Sequence, residues 1–107
     1  MRIAETDITI TDGTSIGTRR IVSVHDIADA ITEHGRRLTE GKSSITLYLC
    51  RNGESLGEFR LSVYGINRND YYIRCSNNVV YKFFELYEKK LESILRDKCI
   101  LLTIHKL

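Results

Sequence analysis

The chain opens on a two-residue rhythm. From Asp7 to Asp12 polar and apolar residues alternate, with Ile8 and Ile10 on one side, which predicts a half-buried strand. Gly13 and Gly17 bracket a polar turn, and the β-branched stretch Arg19 to Ser23 predicts a second short strand that closes a loose hairpin. The period then changes. Val24, Ile27, Ala28, Ile31 and Leu38 recur at helical spacing behind Ser23, an N-cap residue with Asp26 at the capping-box position, where Asp is a weaker partner than Glu. Asp26, Asp29 and Glu33 come early, and Arg36, Arg37 and Lys42 late, an order that complements the helix dipole. Gly41 is the expected stop. Gly35, inside the pattern, costs roughly 1 kcal/mol relative to Ala, so it either permits close packing or ends the helix early.

Alternation returns at Ser44 to Cys50, where Ile45, Leu47 and Leu49 oppose Thr46, Tyr48 and Cys50. Asn52-Gly53 is a strong hairpin signal, because both residues tolerate positive φ. The return strand runs from Gly57 to Val63 with Phe59, Leu61 and Val63 inward and Glu58, Arg60 and Ser62 outward. A turn over Gly65 to Asp70 leads to a third strand, Tyr71 to Cys75. Ser76, Asn77 and Asn78 can cap the next helix, whose stripe of Val80, Phe83, Phe84, Tyr87, Leu91, Ile94 and Leu95 is the densest in the chain. Cys99 to His105 closes the sequence as a strand. Its first residues are apolar on both faces, which predicts a buried place within the sheet, and His105-Lys106-Leu107 reads equally as strand end or tail.

The element order is β(β)-α-β-β-β-α-β. Two apolar helix stripes and one apolar sheet face bury one another most simply in an α+β domain spanning 1–107: a mainly antiparallel sheet of four to six strands with two helices packed on one face. A length of 107 residues is that of one domain.

Composition narrows the function classes more than it names one. Sixteen Lys and Arg against fourteen Asp and Glu give a net charge of +2, and a pI of about 8.5 falls short of the strongly basic balance of a dedicated nucleic-acid binder. Cys50, Cys75 and Cys99 are odd in number and widely spaced, so the expectation is free thiols in the cytoplasm rather than a disulfide framework. Met1 to Asp12 shows no leader pattern, and the longest apolar run, Cys99 to Leu102, is far too short for a membrane span.

The motifs that carry chemistry with high specificity are missing. No CxxC, HxxxH or HExxH occurs, and His25 and His34, nine residues apart on one helix, fall on opposite faces, so no metal or cofactor is expected. A Cys–His nucleophile would need Cys75 or Cys99 beside His105. Asp12 to Arg19 resembles a phosphate loop in its glycines and hydroxyls, yet lacks the Gly-Lys-Ser/Thr ending and a helix directly after it. Asp26 and Asp29, on the first turns of a helix, serve the dipole and solubility. The chain also lacks the aromatic strand motif of an RNA recognition module.

What remains is tyrosine and arginine. Tyr48, Tyr64, Tyr71 and Tyr72 cluster on the meander with Arg51, Arg60, Arg68 and Arg74, and these are the residue types enriched at interface hot spots. The candidate partner-binding residues are Tyr48, Arg51, Arg60, Tyr72 and Arg74, with Tyr71 and Ile73 as the alternative outward pair on the third strand. The expected function is a non-enzymatic protein-binding module, a small inhibitor, immunity or anti-defence protein of bacterial or phage type. The alternative is nucleic-acid or nucleotide binding through the same face by base stacking. Homodimerisation through a free sheet edge or a helix face is a further expectation.

Overall fold

The computed structural model describes residue 3, residues 7–38 and residues 41–107. The order is β1 (Ile8–Thr11), β2 (Thr18–Ile21), α1 (Val24–Arg37), β3 (Ser44–Arg51), β4 (Glu54–Tyr64), β5 (Asp70–Cys75), α2 (Asn78–Arg96) and β6 (Leu101–Lys106). The polar–apolar alternation ahead of Asp7 lies outside the described residues except for Ile3, whose N–H donates to the Val22 carbonyl at 2.9 Å.

The strands form one six-stranded sheet in the order β2-β1-β3-β4-β5-β6, antiparallel throughout except for the parallel pair β5–β6. Asn52 (φ 52°) and Gly53 (φ 82°) make the tight turn between β3 and β4 that their sequence demands. That turn sets Leu47 opposite Phe59 and Ile45 opposite Leu61, with an irregularity at Leu49/Cys50. The next pairing sets Leu61 opposite Ile73 and Val63 opposite Tyr71. Paired residues share a face, so these side chains form one apolar surface, and both helices lie on it.

The core is built where the helix stripes meet that surface. Phe59 of β4 and Phe84 of α2 are buried edge to face, with ring centres 4.8 Å apart. Truncating such a phenylalanine costs about 3–5 kcal/mol. An exposed ion pair contributes about 0–1 kcal/mol, so packing rather than charge holds the helices on the sheet.

The helix ends follow the capping expectations at one end and depart from them at the other. Asp26 reaches back to accept from the N–H groups of Val22 and Ser23 at 2.9 and 3.1 Å. At its far end α1 stops at Arg37, short of Gly41. Leu38 turns extended (φ −75°, ψ 131°) and buries its side chain, and the Arg68 guanidinium donates to its carbonyl at 2.8 Å. Burying Leu38 takes precedence over a glycine stop.

The closing strand corrects a second expectation. β6 is not within the sheet but at its edge, parallel to β5. α2 returns the chain beside β5 in the same direction, and no strand lies beyond among the described residues. Leu101, which suggested burial on both faces, is 63% exposed. No described helix is long and apolar enough to cross a membrane.

Gly35 resolves toward close packing. A Cβ there would fall 2.6 Å from Cζ and from the hydroxyl oxygen of Tyr71, a buried side chain of β5. Gly35→Ala is expected to destabilise the protein by about 1–3 kcal/mol despite a helix-propensity gain near 1 kcal/mol, because the ring has to move within a packed core. Urea denaturation measures this. A midpoint equal to or above that of the parent would show that Tyr71 can move freely.

Candidate functional site: the open face of the sheet

Side chains alternate across a strand, so burial of Phe59, Leu61 and Val63 turns Glu58, Arg60, Ser62 and Tyr64 to the other side. Register then carries the pattern across the sheet. Thr46, Arg60, Arg74 and His105 form one row, and Ser62, Tyr72 and Thr103 the next. Tyr48 stands opposite Glu58, and Tyr64 opposite Asp70. No described helix covers this surface.

Tyr48, Arg60, Tyr72 and Arg74 therefore share the open face, as expected. Arg51 does not join them. It pairs with Ile8, whose side chain is in the core, and lines an apolar groove of about 290 Å³ on the helix side with Leu49, Phe83 and Tyr87. Three positions separate Arg51 from Tyr48 on one strand, which is enough to put them on opposite faces. Tyr72 with Arg74, not Tyr71 with Ile73, is the outward pair of β5. Arg68 serves the turn through its bond to the Leu38 carbonyl.

Two further residues belong to the site. Arg74 Nη1 donates to Ser62 Oγ and to the Tyr64 hydroxyl, each at 3.2 Å. Its guanidinium carbon lies 5.7 Å from the Tyr64 ring centre and 5.5 Å from that of Tyr72, within cation–π range. Tyr64 and Tyr72 meet edge to face at 5.3 Å, and His105 lies parallel to Tyr72 at 5.8 Å. Arg74 is the hub of this cluster. The bonds from Arg74 and Ser62, with the charges of Arg74 and Arg60, hold the Tyr64 phenol below its usual range. Continuing the alternation from Arg60 through Ser62 reaches Tyr64, so that residue was legible. His105 was not, because only the non-local β5–β6 pairing brings it to Tyr72.

The charge arrangement is unusual. Arg60 and Arg74 are direct cross-strand partners, and neither forms an ion pair among the described residues. Like charges so placed are destabilising. Arg19 provides the contrast: it reaches Glu33 at 2.8 Å, Asp29 at 3.2 Å and Asp26 at 3.7 Å. The open face thus presents two guanidiniums that enter no ion pair among the described residues, phenol hydroxyls and an imidazole, with the Glu58 carboxylate on the same depression. Above Thr46, Arg60 and Arg74 lies a shallow depression of about 410 Å³.

The other candidate chemistry is dispersed. Cys75 is buried, which pushes its thiol up to about 11, and it pairs with Lys106, whereas His105 pairs with Arg74 on the opposite face. Cys99 sits in the turn after α2. His25 is exposed, while His34 is buried with Nε2 3.1 Å from the Gly17 carbonyl oxygen. Among the described residues no group of three or more His, Cys, Asp or Glu is placed to hold a metal ion. In the loop that resembles a phosphate cradle, Asp12 accepts from the Thr14 N–H at 2.8 Å and from the Thr14 hydroxyl at 2.6 Å. These bonds, the hydroxyl's first, hold the Asp12 carboxyl below its usual range. The loop carries its own anion in place of a bound one.

No family model, curated protein or solved structure matches this chain.

Arg74→Gln removes the guanidinium that favours the Tyr64 phenolate. In a pH titration followed by tyrosinate absorbance, the earliest-ionising tyrosine should move upward toward the ordinary value, and Tyr64→Phe should delete that transition. An unchanged titration in Arg74→Gln would show that the bond to Tyr64 does not persist in solution.

Proposed function

We propose that this protein is a non-enzymatic binding module whose open sheet face docks on an acidic surface of a partner protein. The observation that carries the reading is the cross-strand pair Arg60–Arg74, which forms no ion pair among the described residues and stands among tyrosines. A partner's Asp or Glu side chains would relieve the repulsion and accept charge-assisted hydrogen bonds. Tyr48, 37% exposed on the same face, adds contact area at low entropic cost. A chain of 107 residues that acts by covering a partner's surface fits the class of small inhibitors, including immunity and anti-defence proteins of bacteria and phages. Its free thiols suit a reducing cytoplasm.

Nucleic-acid binding by the same face is the weaker reading. Base stacking needs ring planes open to the ligand. Here Tyr72 is engaged by His105 and Arg74, and Tyr64 by Tyr72 and Arg74.

The test is affinity capture from a native-host lysate by the protein and by a Tyr48→Ala, Arg60→Glu variant. Both changes are at the surface, so the melting temperature should stay nearly unchanged. A protein retained after nuclease treatment and lost about 30-fold or more in the variant is the expected result, about 2 kcal/mol of hot-spot energy. Capture of nucleic acid instead, falling steeply as salt rises, would replace this reading with the other.

A further inference from the structure

The two edges of the sheet are built differently. β2, at one edge, has four residues, Thr18–Ile21, two of them arginine, and the chain at Ile3 runs alongside its end through the bond to Val22. Short length and charge are the ordinary defences of an edge strand. β6, at the other edge, has six residues, Leu-Leu-Thr-Ile-His-Lys, with no proline, no register irregularity against β5 and one lysine at its end. Its sequence is that of an interior strand, yet no described strand lies beyond it.

The backbone direction along β6 is fixed by its contacts. The N–H of Leu101 donates to Asn69 and that of Leu107 to Cys75, both on the β5 side. Alternate residues of a strand point their peptide groups to opposite sides. Leu102, Ile104 and Lys106 therefore direct their N–H and C=O groups outward along the free edge. Leu102 and Ile104 are half-buried and continue the apolar surface to its margin, in register with buried Tyr71 and Ile73.

The helix beside this edge carries both signs of charge, with three glutamates gathered on the side toward β6 and Lys82, Lys89, Lys90 and Arg96 elsewhere around it. Lys106 lies 6.0 Å from the ring centre of Tyr81, which places the Tyr81 flank of α2 along β6. Glu85, Glu88 and Glu92 follow Tyr81 on that flank at helical spacing. Glu85 is paired with Lys82 at 3.5 Å, whereas Glu88 and Glu92 have no cationic partner among the described residues. Burial first, and then the neighbouring Glu92 and Glu85, raise the Glu88 carboxyl above its usual range.

We propose that the outer edge of β6 is a docking site for an extended, lysine- or arginine-bearing segment of a partner protein, which adds as a seventh strand with its basic side chains along the Glu88–Glu92 flank of α2. The edge supplies the hydrogen bonds and the helix flank supplies the charge preference, as in other strand additions. A second copy of this chain is disfavoured as the occupant. Its own α2, related by a dyad through the paired β6 strands, would bring a matching row of glutamates against this one. The site is separate from the open face and does not depend on the function proposed for it.

The test uses the full chain and a short synthetic peptide alternating lysine and valine, with the same peptide carrying glutamate for lysine as control. Amide exchange followed by NMR should show the N–H groups of Leu102, Ile104 and Lys106 slowed about tenfold or more by the lysine peptide and not by the glutamate peptide. Glu88→Lys with Glu92→Lys should weaken the lysine peptide about fivefold to tenfold, less so at high salt. Lys106→Pro removes one outward donor at a position where an edge strand accepts proline, and should also weaken binding while the fold persists. Arg60→Glu should bind the lysine peptide like the parent, which separates this site from the open face. Equal protection by both peptides, protection elsewhere only, or protection that rises with protein concentration alone would overturn the proposal, the last by placing a second copy on the edge.

Discussion

Phe59, Leu61 and Val63 of β4, with the side chains paired to them on β3 and β5, meet α1 and α2, and this contact decides where every other strand residue points. A sheet has a side-chain period of two, so a one-residue slip would exchange its faces. The Asn52–Gly53 turn holds β3 and β4 in register, and the apolar rows penalise any alternative. Gly35 belongs to the same constraint, since α1 settles onto Tyr71 at a point where even a methyl group has no room. The open face is the complement of the buried one. Its residues are gathered by the burial of their neighbours, without any force acting between Tyr48 and Arg74.

Charge is resolved differently on the two sides. On the helix side, Arg19 ties the short strand β2 to three carboxylates of α1, one of which, Asp29, also meets Lys98 at 3.2 Å. Each exposed pair contributes little alone, yet the network fixes an edge strand that has few apolar contacts. On the open side, Arg74 finds hydroxyls and ring faces, and Arg60 finds no carboxylate. Hydrogen bonds to neutral groups orient a guanidinium without cancelling its charge. The result is a hydrogen-bonding surface on which two adjacent guanidiniums keep their charge.

The fold was legible in the chain because its signals are local and consistent. Alternation, the Asn-Gly turn and the dense stripe of α2 each name an element, and the need to bury two stripes against one sheet face names the architecture. Tyr48, Arg60, Tyr72 and Arg74 follow from alternation once the inward residues are known. The same parity argument sends Arg51 to the other face, and the alternation from Arg60 reaches Tyr64 at the end of β4. His105 and the position of β6 required strand order. That order comes from the path of α2 over the sheet, and no nearby residue records it. Leu38 shows the same limit on a smaller scale: its burial ends α1 ahead of the glycine that local rules select.

β6 is where local pattern and tertiary position disagree, and the disagreement has physical content. An apolar, unbroken strand at an edge leaves peptide groups and half-buried side chains at the margin of the core. Edge strands in stable monomers usually carry a remedy, and β2 carries two, shortness and arginine. At β6 the modifiers among the described residues are a terminal lysine and the glutamates on the neighbouring side of α2. The flank acts selectively, because glutamates along an open edge repel a copy of the same helix and attract a strand of opposite charge. An edge left open to hydrogen bonding but biased in charge discourages self-pairing while remaining available to a basic partner. One arrangement thus accounts for both the interior-like sequence of β6 and the row of glutamates beside it.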